Sequence, residues 1–327
     1  MKVIEIKELT KKFNDFCAVD AISLDVEQGE IFGLLGPNGA GKTTTIKMLA
    51  TLLKVTSGSA KVCGCDVTEN SDEVRRCIGI VFQDPAIDTE LTGWENLDFH
   101  ARIYGMKGRE KKKRIDEVLE LVGLQDKAKA LVKTYSGGMK RRLEIARGLM
   151  HYPKVLFLDE PTLGLDAQTR RAIWEHIRKI NKKEKITIIL TTHYMEEADY
   201  LCKRVAIIDN GKILALDTPS KLKDSMGGDV ITIKLSSTKK FQKAVKKYKW
   251  ISKVSQCNGN LCLSLEKGET KIPEIIKIAE KLKIKVESIS ISKPTLEDVF
   301  IRFTGKKIRS EVADSKNIMR MRARMHG

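Results

Sequence analysis

The chain lacks any run of apolar residues long enough to cross a bilayer, which takes about 18 to 20 in succession. Its start also does not read as a secretory leader. Met1-Lys2-Val3-Ile4-Glu5-Ile6-Lys7 alternates apolar and charged side chains, the pattern of a strand, so we expect the chain to stay in the cytoplasm. Metal-ligand spacing is missing too. There are seven cysteines, an odd number, and Cys63 and Cys65 stand two apart with no matching Cys or His pair after them. On a strand those two would share a face, and the set reads as reduced, packed thiols in a reducing compartment. Disorder is excluded as well, because 42% of the 327 residues are hydrophobic and 31% charged. That length allows one full-sized domain with its own core and a smaller one.

The net charge of +17 is unevenly spread, with +14 falling in residues 221–327 and only +3 in residues 1–220. A basic surface of this kind suits nucleic acid, anionic headgroups or an acidic partner, or is a solvated lysine-rich face. Strand patterns fill the first 35 residues. Val19–Val26 and Glu30–Leu35 flank a Glu27-Gln28-Gly29 turn, which predicts a hairpin. A helix is predicted from Lys42 through Leu53, and strands at 60–66 and 78–83. Helical spacing then takes over, at Trp94–Tyr104, Glu110–Val122 and 137 to about Met150. Continuous apolar strands at Val155–Leu158 and Ile186–Leu190, separated by a helix, indicate a parallel sheet covered on both faces. Asp209-Asn210-Gly211 signals a hairpin turn. Beyond Thr218-Pro219-Ser220 the predicted order is βαββαβ, a ferredoxin-like arrangement, then a short helix at Thr295–Phe303 and a basic tail.

Three stretches carry chemistry. Gly36-Pro37-Asn38-Gly39-Ala40-Gly41-Lys42-Thr43-Thr44 follows a predicted strand and opens a predicted helix, the context of a P-loop. Its glycines allow a tight turn whose N–H groups cradle phosphates. Lys42 would reach the β- and γ-phosphates, the Thr43 hydroxyl would hold Mg²⁺, and Thr44 adds a hydroxyl. Val155-Leu156-Phe157-Leu158 delivers Asp159 and Glu160 at a strand end, 117 positions after Lys42. Asp159 suits Mg²⁺, and Glu160 suits the general base that polarises the attacking water. Tyr135-Ser136-Gly137-Gly138-Met139 opens another helix. By itself Ser136 reads as a helix cap, but a second anion-binding helix start beside a P-loop points to nucleotides sandwiched between two copies.

Together these motifs resemble the nucleotide-binding domain of ABC transporters along residues 1–220, with a helical insertion at about 85–150. The family's usual LSGGQ reads YSGGM here. The resemblance implies an α/β P-loop ATPase fold and ATP with Mg²⁺ as ligands. It implies that Phe13 stacks on adenine, and that Gln83 senses Mg²⁺ and couples to a membrane partner. It places Asp166, in Gly164-Leu165-Asp166, in the loop that crosses a dimer interface, and His193 against the γ-phosphate. Ser136, Gly137 and Gly138 would then grip nucleotide held by the partner copy. Lys293-Pro294-Thr295-Leu296-Glu297-Asp298-Val299-Phe300 looks like the C-terminal motif of daunorubicin-resistance-type ATPases. Residues 221–305 would form a small regulatory or docking α+β domain, and 306–327 a basic tail. We therefore expect a homodimer or heterodimer that powers export through a separate membrane permease, peripheral to the cytoplasmic face of the membrane. No nucleic-acid partner is expected. The rival readings are a soluble ABC ATPase acting on nucleic acid or ribosomes, and the ATPase of an importer.

Overall fold

The computed structural model describes residues 1–257 and 260–304, so the predicted tail at 306–327 lies outside the described residues. The first quarter of the chain builds strands β1 (Lys2–Phe13), β2 (Phe16–Glu27) and β3 (Ile31–Leu35), helix α1 (Lys42–Leu49), strands β4 (Ser57–Val62) and β5 (Cys65–Asp66), helix α2 (Ser71–Cys77) and strand β6 (Ile78–Val81). Helices α3 (Gly93–Ile103), α4 (Gly108–Leu121) and α5 (Gly137–Leu149) follow with no strand between them. Then come β7 (Val155–Asp159), α6 (Ala167–Glu184), β8 (Thr187–Thr192), α7 (Met195–Leu201), β9 (Arg204–Asp209), β10 (Lys212–Asp217) and α8 (Pro219–Asp224).

The central sheet runs β10-β9-β3-β8-β7-β6, with all neighbours parallel except the β9–β10 hairpin. Its middle strands β3, β8 and β7 are buried at every residue because both faces are covered. The pleat divides them between two cores. Phe32, Leu34, Val155, Phe157 and Ile189 face the antiparallel sheet β2-β1-β4-β5 and α1. Ile31, Leu35, Leu156, Leu158, Ile188 and Leu190 face the helical region.

Three local expectations are corrected. The predicted Val19–Leu35 hairpin is not one: β2 pairs with β1, while β3 belongs to the central sheet. The Glu27-Gln28-Gly29 turn passes the chain between layers, since β3 is buried on both faces and β2 is not. α1 ends at Leu49 rather than Leu53, because Thr51 adopts φ 62°, outside right-handed helix. Cys63 and Cys65 do not share one strand face. Cys63 (φ 54°) and Gly64 (φ 85°) form the turn that pairs Val62 with Cys65.

The C-terminal unit comprises β11 (Asp229–Leu235), α9 (Thr238–Val245), β12 (Ile251–Cys257), β13 (Asn260–Leu265), α10 (Gly268–Lys281) and β14 (Val286–Ser292), followed by α11 (Leu296–Thr304). Its antiparallel sheet runs β12-β13-β11-β14, the ferredoxin-like order. Ile231, Ile233, Leu261, Leu263 and Leu265 pack there under Phe241, Val245, Ile275 and Ile278 of the two helices. The last helix behaves differently. A box between Thr295 and Asp298 starts α11, with Asp298 N–H donating to Thr295 Oγ1 at 3.2 Å and Thr295 N–H to Asp298 Oδ2 at 2.8 Å. Its apolar side, Leu296, Val299 and Phe300, joins the core of the first unit beside Ala198, Leu201 and Leu222. Among the described residues no helix is long and apolar enough to cross a membrane.

Phe300 is 2% exposed and Phe303, on the same helix, 44%. Phe300→Ala should therefore destabilise the full chain by about 3–5 kcal/mol in chemical denaturation. Phe303→Ala should stay within about 0.5 kcal/mol of the parent. Equal, small effects would mean that α11 does not anchor the C-terminal unit.

Candidate active site

Parallel strands deliver their carboxyl ends to one edge, where α/β proteins place ligands. Here the ends of β3, β7 and β8 are neighbours, carrying Gly36–Gly41, Asp159-Glu160 and Thr192-His193. The loop after β3 must turn sharply into α1. Gly41 takes φ 100°, and a Cβ there would stand 2.5 Å from the carbonyl oxygen of Ala18 on β2, so only glycine fits. No side chain caps α1 and no acid sits in its first turn. Its first N–H groups are thus left for an external acceptor, which favours an anion.

Lys42, at the start of α1, is 5% exposed. Its Nζ donates to the carbonyls of Gly36 (2.8 Å) and Pro37 (3.1 Å) and lies 3.0 Å from Glu160 Oε1. The other oxygen, Oε2, is 2.8 Å from His193 Nδ1. Glu160 is therefore held from both sides. Burial pushes its carboxyl pKa up, but the His193 hydrogen bond and the Lys42 charge outweigh it and bring the value below 4.5. Glu160 also adopts φ 48°, rare for a non-glycine residue. Its N–H donates to Thr191 Oγ1 at 2.9 Å.

Asp159, 1% exposed, accepts from Thr191 Oγ1 at 2.6 Å and from Thr43 Oγ1 at 3.0 Å. A hydroxyl and a carboxylate this close are the hard oxygen donors that suit Mg²⁺. Asn38 and Gly39 are exposed, Pro37 and Thr44 half-buried, and Ala40 buried.

The remaining predicted residues lie elsewhere. Ser136 caps α5, accepting from Met139 N–H at 3.3 Å, and is exposed with Gly137. Gly138 is buried against α6, where a Cβ would come 2.4 Å from Thr169 Cγ2. Among the described residues no hydrogen bond joins this turn to Lys42, Thr43, Asp159 or Glu160. Asp166 caps α6, accepting from Thr169 N–H at 2.9 Å. Phe13, opposite Phe16 at the end of the β1–β2 hairpin, is 37% exposed, and Lys11 Nζ stands 4.9 Å from its ring centre. Gln83 is exposed and makes none of these contacts.

Sequence reasoning passed over several residues of this region. Arg141 and Glu144 on α5 are buried, and so is Glu197 on α7, which accepts from Thr162 Oγ1 and Trp174 Nε1 at 2.8 Å each. Burial pushes the Glu197 carboxyl up. Its only sequence signal is a second acid beside Glu196 on an otherwise exposed-looking helix turn.

A phosphate cradle whose lysine meets a strand-end carboxylate defines a P-loop ATPase, and comparisons with known proteins narrow that class. The family described as "ABC transporter" matches residues 19–163, and "ATP-binding protein DrrA1-3-like, C-terminal domain" matches 218–304. The daunorubicin resistance ATP-binding protein DrrA2 of Streptomyces coeruleorubidus is 37% identical, covering 95% of this chain and 97% of that protein. The linearmycin resistance ATP-binding protein LnrL of Bacillus subtilis (strain 168) is also 37% identical, covering 94% and 100%. Among solved structures, the ATP-binding cassette MJ0796, a dimer in a post-hydrolysis state bound to ADP and Pi, is similar with a TM-score of 0.59. Its identity is 28%, over 66% of this chain and 98% of that one. This chain belongs to the ABC transporter family and is one of its ATP-binding, ATP-hydrolysing subunits. Within that family it carries the C-terminal domain of the DrrA type.

A carboxyl held below 4.5 adds stability that is present above the unfolded value and lost as pH falls through the folded one. The stability gap between the parent chain and Glu160→Gln should therefore hold steady near neutral pH and close only as pH falls below the ordinary carboxylate value of 4.5 in denaturant titrations. A gap independent of pH would contradict the described pairing.

Proposed function

We propose that the chain works as one half of an ATP-driven pair that powers export through a separate membrane permease at the cytoplasmic face of the membrane. The observation that carries this reading is the single cluster of Lys42, Thr43, Asp159, Glu160 and His193 at the ends of three adjacent strands. When the phosphates of ATP enter the loop after β3, Lys42 leaves Glu160 and meets them as a point charge. Glu160 is then free at Oε1 to orient the attacking water and take its proton, while His193 holds Oε2. Thr43 and Asp159, with Gln83 brought in from its exposed loop, would hold Mg²⁺. When bound, Mg²⁺ supplies charge neutralisation on the phosphate oxygens. Phe13 is free to stack on the base.

Ser136 and Gly137 face outward, so their phosphate contacts go to nucleotide on a second copy. Asp166 lies in the loop beside that contact. Two copies, identical or not, would pair head to tail, with ATP favouring the closed pair because it touches both. The division near residue 220 gives the C-terminal unit its own sheet and core, and its basic character suits docking against the permease or anionic headgroups. Two relatives of equal identity bear the names of different compounds, daunorubicin and linearmycin. On this reading the choice of cargo falls to the permease.

Glu160→Gln should lower ATP hydrolysis by at least about 100-fold while nucleotide binding persists and a stable ATP-bound dimer appears on sizing columns. Normal hydrolysis by that variant would remove Glu160 as the base. Shared sites are tested by mixing. Ser136→Arg and Lys42→Ala chains, each inactive alone, should regain activity together, since one composite site then escapes both changes. Heterodimers that form without recovery would refute the shared site.

A further inference from the structure

Arg141 sits on α5, one and a half turns from Ser136, and is 8% exposed. Each of its five N–H donors has an acceptor. Nε donates to the carbonyl of Pro161 at 2.8 Å. Nη2 donates to the carbonyls of Asp159 (2.9 Å) and Glu160 (3.3 Å). Nη1 donates to the carbonyl of Phe82 (2.6 Å) and to Glu144 Oε2 (2.9 Å). Glu144, 2% exposed, uses its other oxygen to accept from Ala86 N–H at 2.8 Å. The Ala86 carbonyl in turn accepts from Arg147, one further step along the same helix face.

The pattern is selective. Three of the carbonyls belong to consecutive residues 159–161, which include Glu160. The fourth precedes Gln83. Arg141 thus grips the backbone that aims the carboxylate, and α5 holds the Gln83 loop at both ends, at Phe82 and Ala86. Glu160 needs such restraint. Its φ of 48° is a conformation that persists only where surroundings over-determine it. Thr191 restrains its N–H, and Arg141 restrains its carbonyl.

We propose that Arg141, oriented by Glu144, is a positioning residue for hydrolysis. It fixes the aim of Glu160 and ties that aim to the placement of the Gln83 loop and of the helix that begins at Ser136. A shift of the Gln83 loop cannot then occur without moving either α5 or the backbone of Glu160. This rests on Glu160 being the base. The geometry separates Arg141 from a merely structural arginine such as Arg114. That residue caps the α5 carbonyls of Leu149 and Met150 and touches no residue of the nucleotide cluster.

The test uses the full chain and two variants that keep buried hydrogen bonding, Arg141→Lys and the neutral pair Arg141→Gln with Glu144→Gln. Hydrolysis is measured against ATP concentration, nucleotide affinity by direct titration, and folding by thermal denaturation. For folded variants we expect kcat to fall about 10- to 100-fold, the cost of misplacing a reacting group by about 1 Å, with nucleotide affinity within about 2-fold. A kcat within about 2-fold of the parent, or a loss of nucleotide affinity as large as the loss of kcat, overturns the assignment. Glu160→Gln is run beside them. If it hydrolyses normally, the base reading fails. If it is inactive while the Arg141 variants are unimpaired, only the positioning role fails.

Discussion

The contact between Lys42 and Glu160, 3.0 Å across and buried on both sides, organises the rest of the structure. Two opposite charges share a buried site because each would be costly there alone. On the proposed reading both serve the same substrate, the lysine its phosphates and the carboxylate the water that attacks them. On the proposed reading, nucleotide entry and release of the base become one event. On that reading the lysine lets go of Glu160 Oε1 as it reaches the phosphates, while His193 keeps its contact with Oε2. Everything that places the two groups follows from adjacency of strand ends. β3 brings the lysine loop, β7 the carboxylates, and β8 both Thr191 and His193.

Around that contact the fold acts as a set of restraints on backbone. Thr191 binds Asp159 through its hydroxyl and accepts from the Glu160 N–H. Arg141 collects the next carbonyls from the opposite side. On the far face of α7, the helix that follows His193, lie Leu296, Val299 and Phe300 of α11. The C-terminal unit is thereby joined to the helix nearest His193 by packing as well as by the chain. Glu197, buried within α7, ties the same helix to Thr162, two residues past Glu160.

How much of this was readable in sequence depended on whether the signal was local. The P-loop spacing, the apolar run ending in Asp159-Glu160 and the Asp209-Asn210-Gly211 turn announce themselves within a few residues. The order of strands and helices after residue 228 was legible for the same reason. Layer membership was not. A turn between two strand patterns does not say whether they pair, so β2 and β3 read as a hairpin while lying in different sheets. Arg141 was invisible because Lys140-Arg141-Arg142 looks like a solvated basic run, and only the fold carries one of the three inward. α11 was legible as a helix with an apolar side, but not as one that packs into the core of the first unit. Cys63 and Cys65 misled because a period of two was applied across a turn.

The central claim is that Lys42 serves Glu160 and the phosphates in alternation. A crystal structure of the full chain, or of its Glu160→Gln variant as a control, with Mg²⁺ and a non-hydrolysable ATP analogue tests it most directly. The account predicts that Lys42 Nζ leaves Glu160 Oε1 and lies on phosphate oxygens, while His193 stays on Oε2 or turns to the γ-phosphate. A nucleotide-bound chain in which Lys42 still sits 3.0 Å from Glu160 would contradict it.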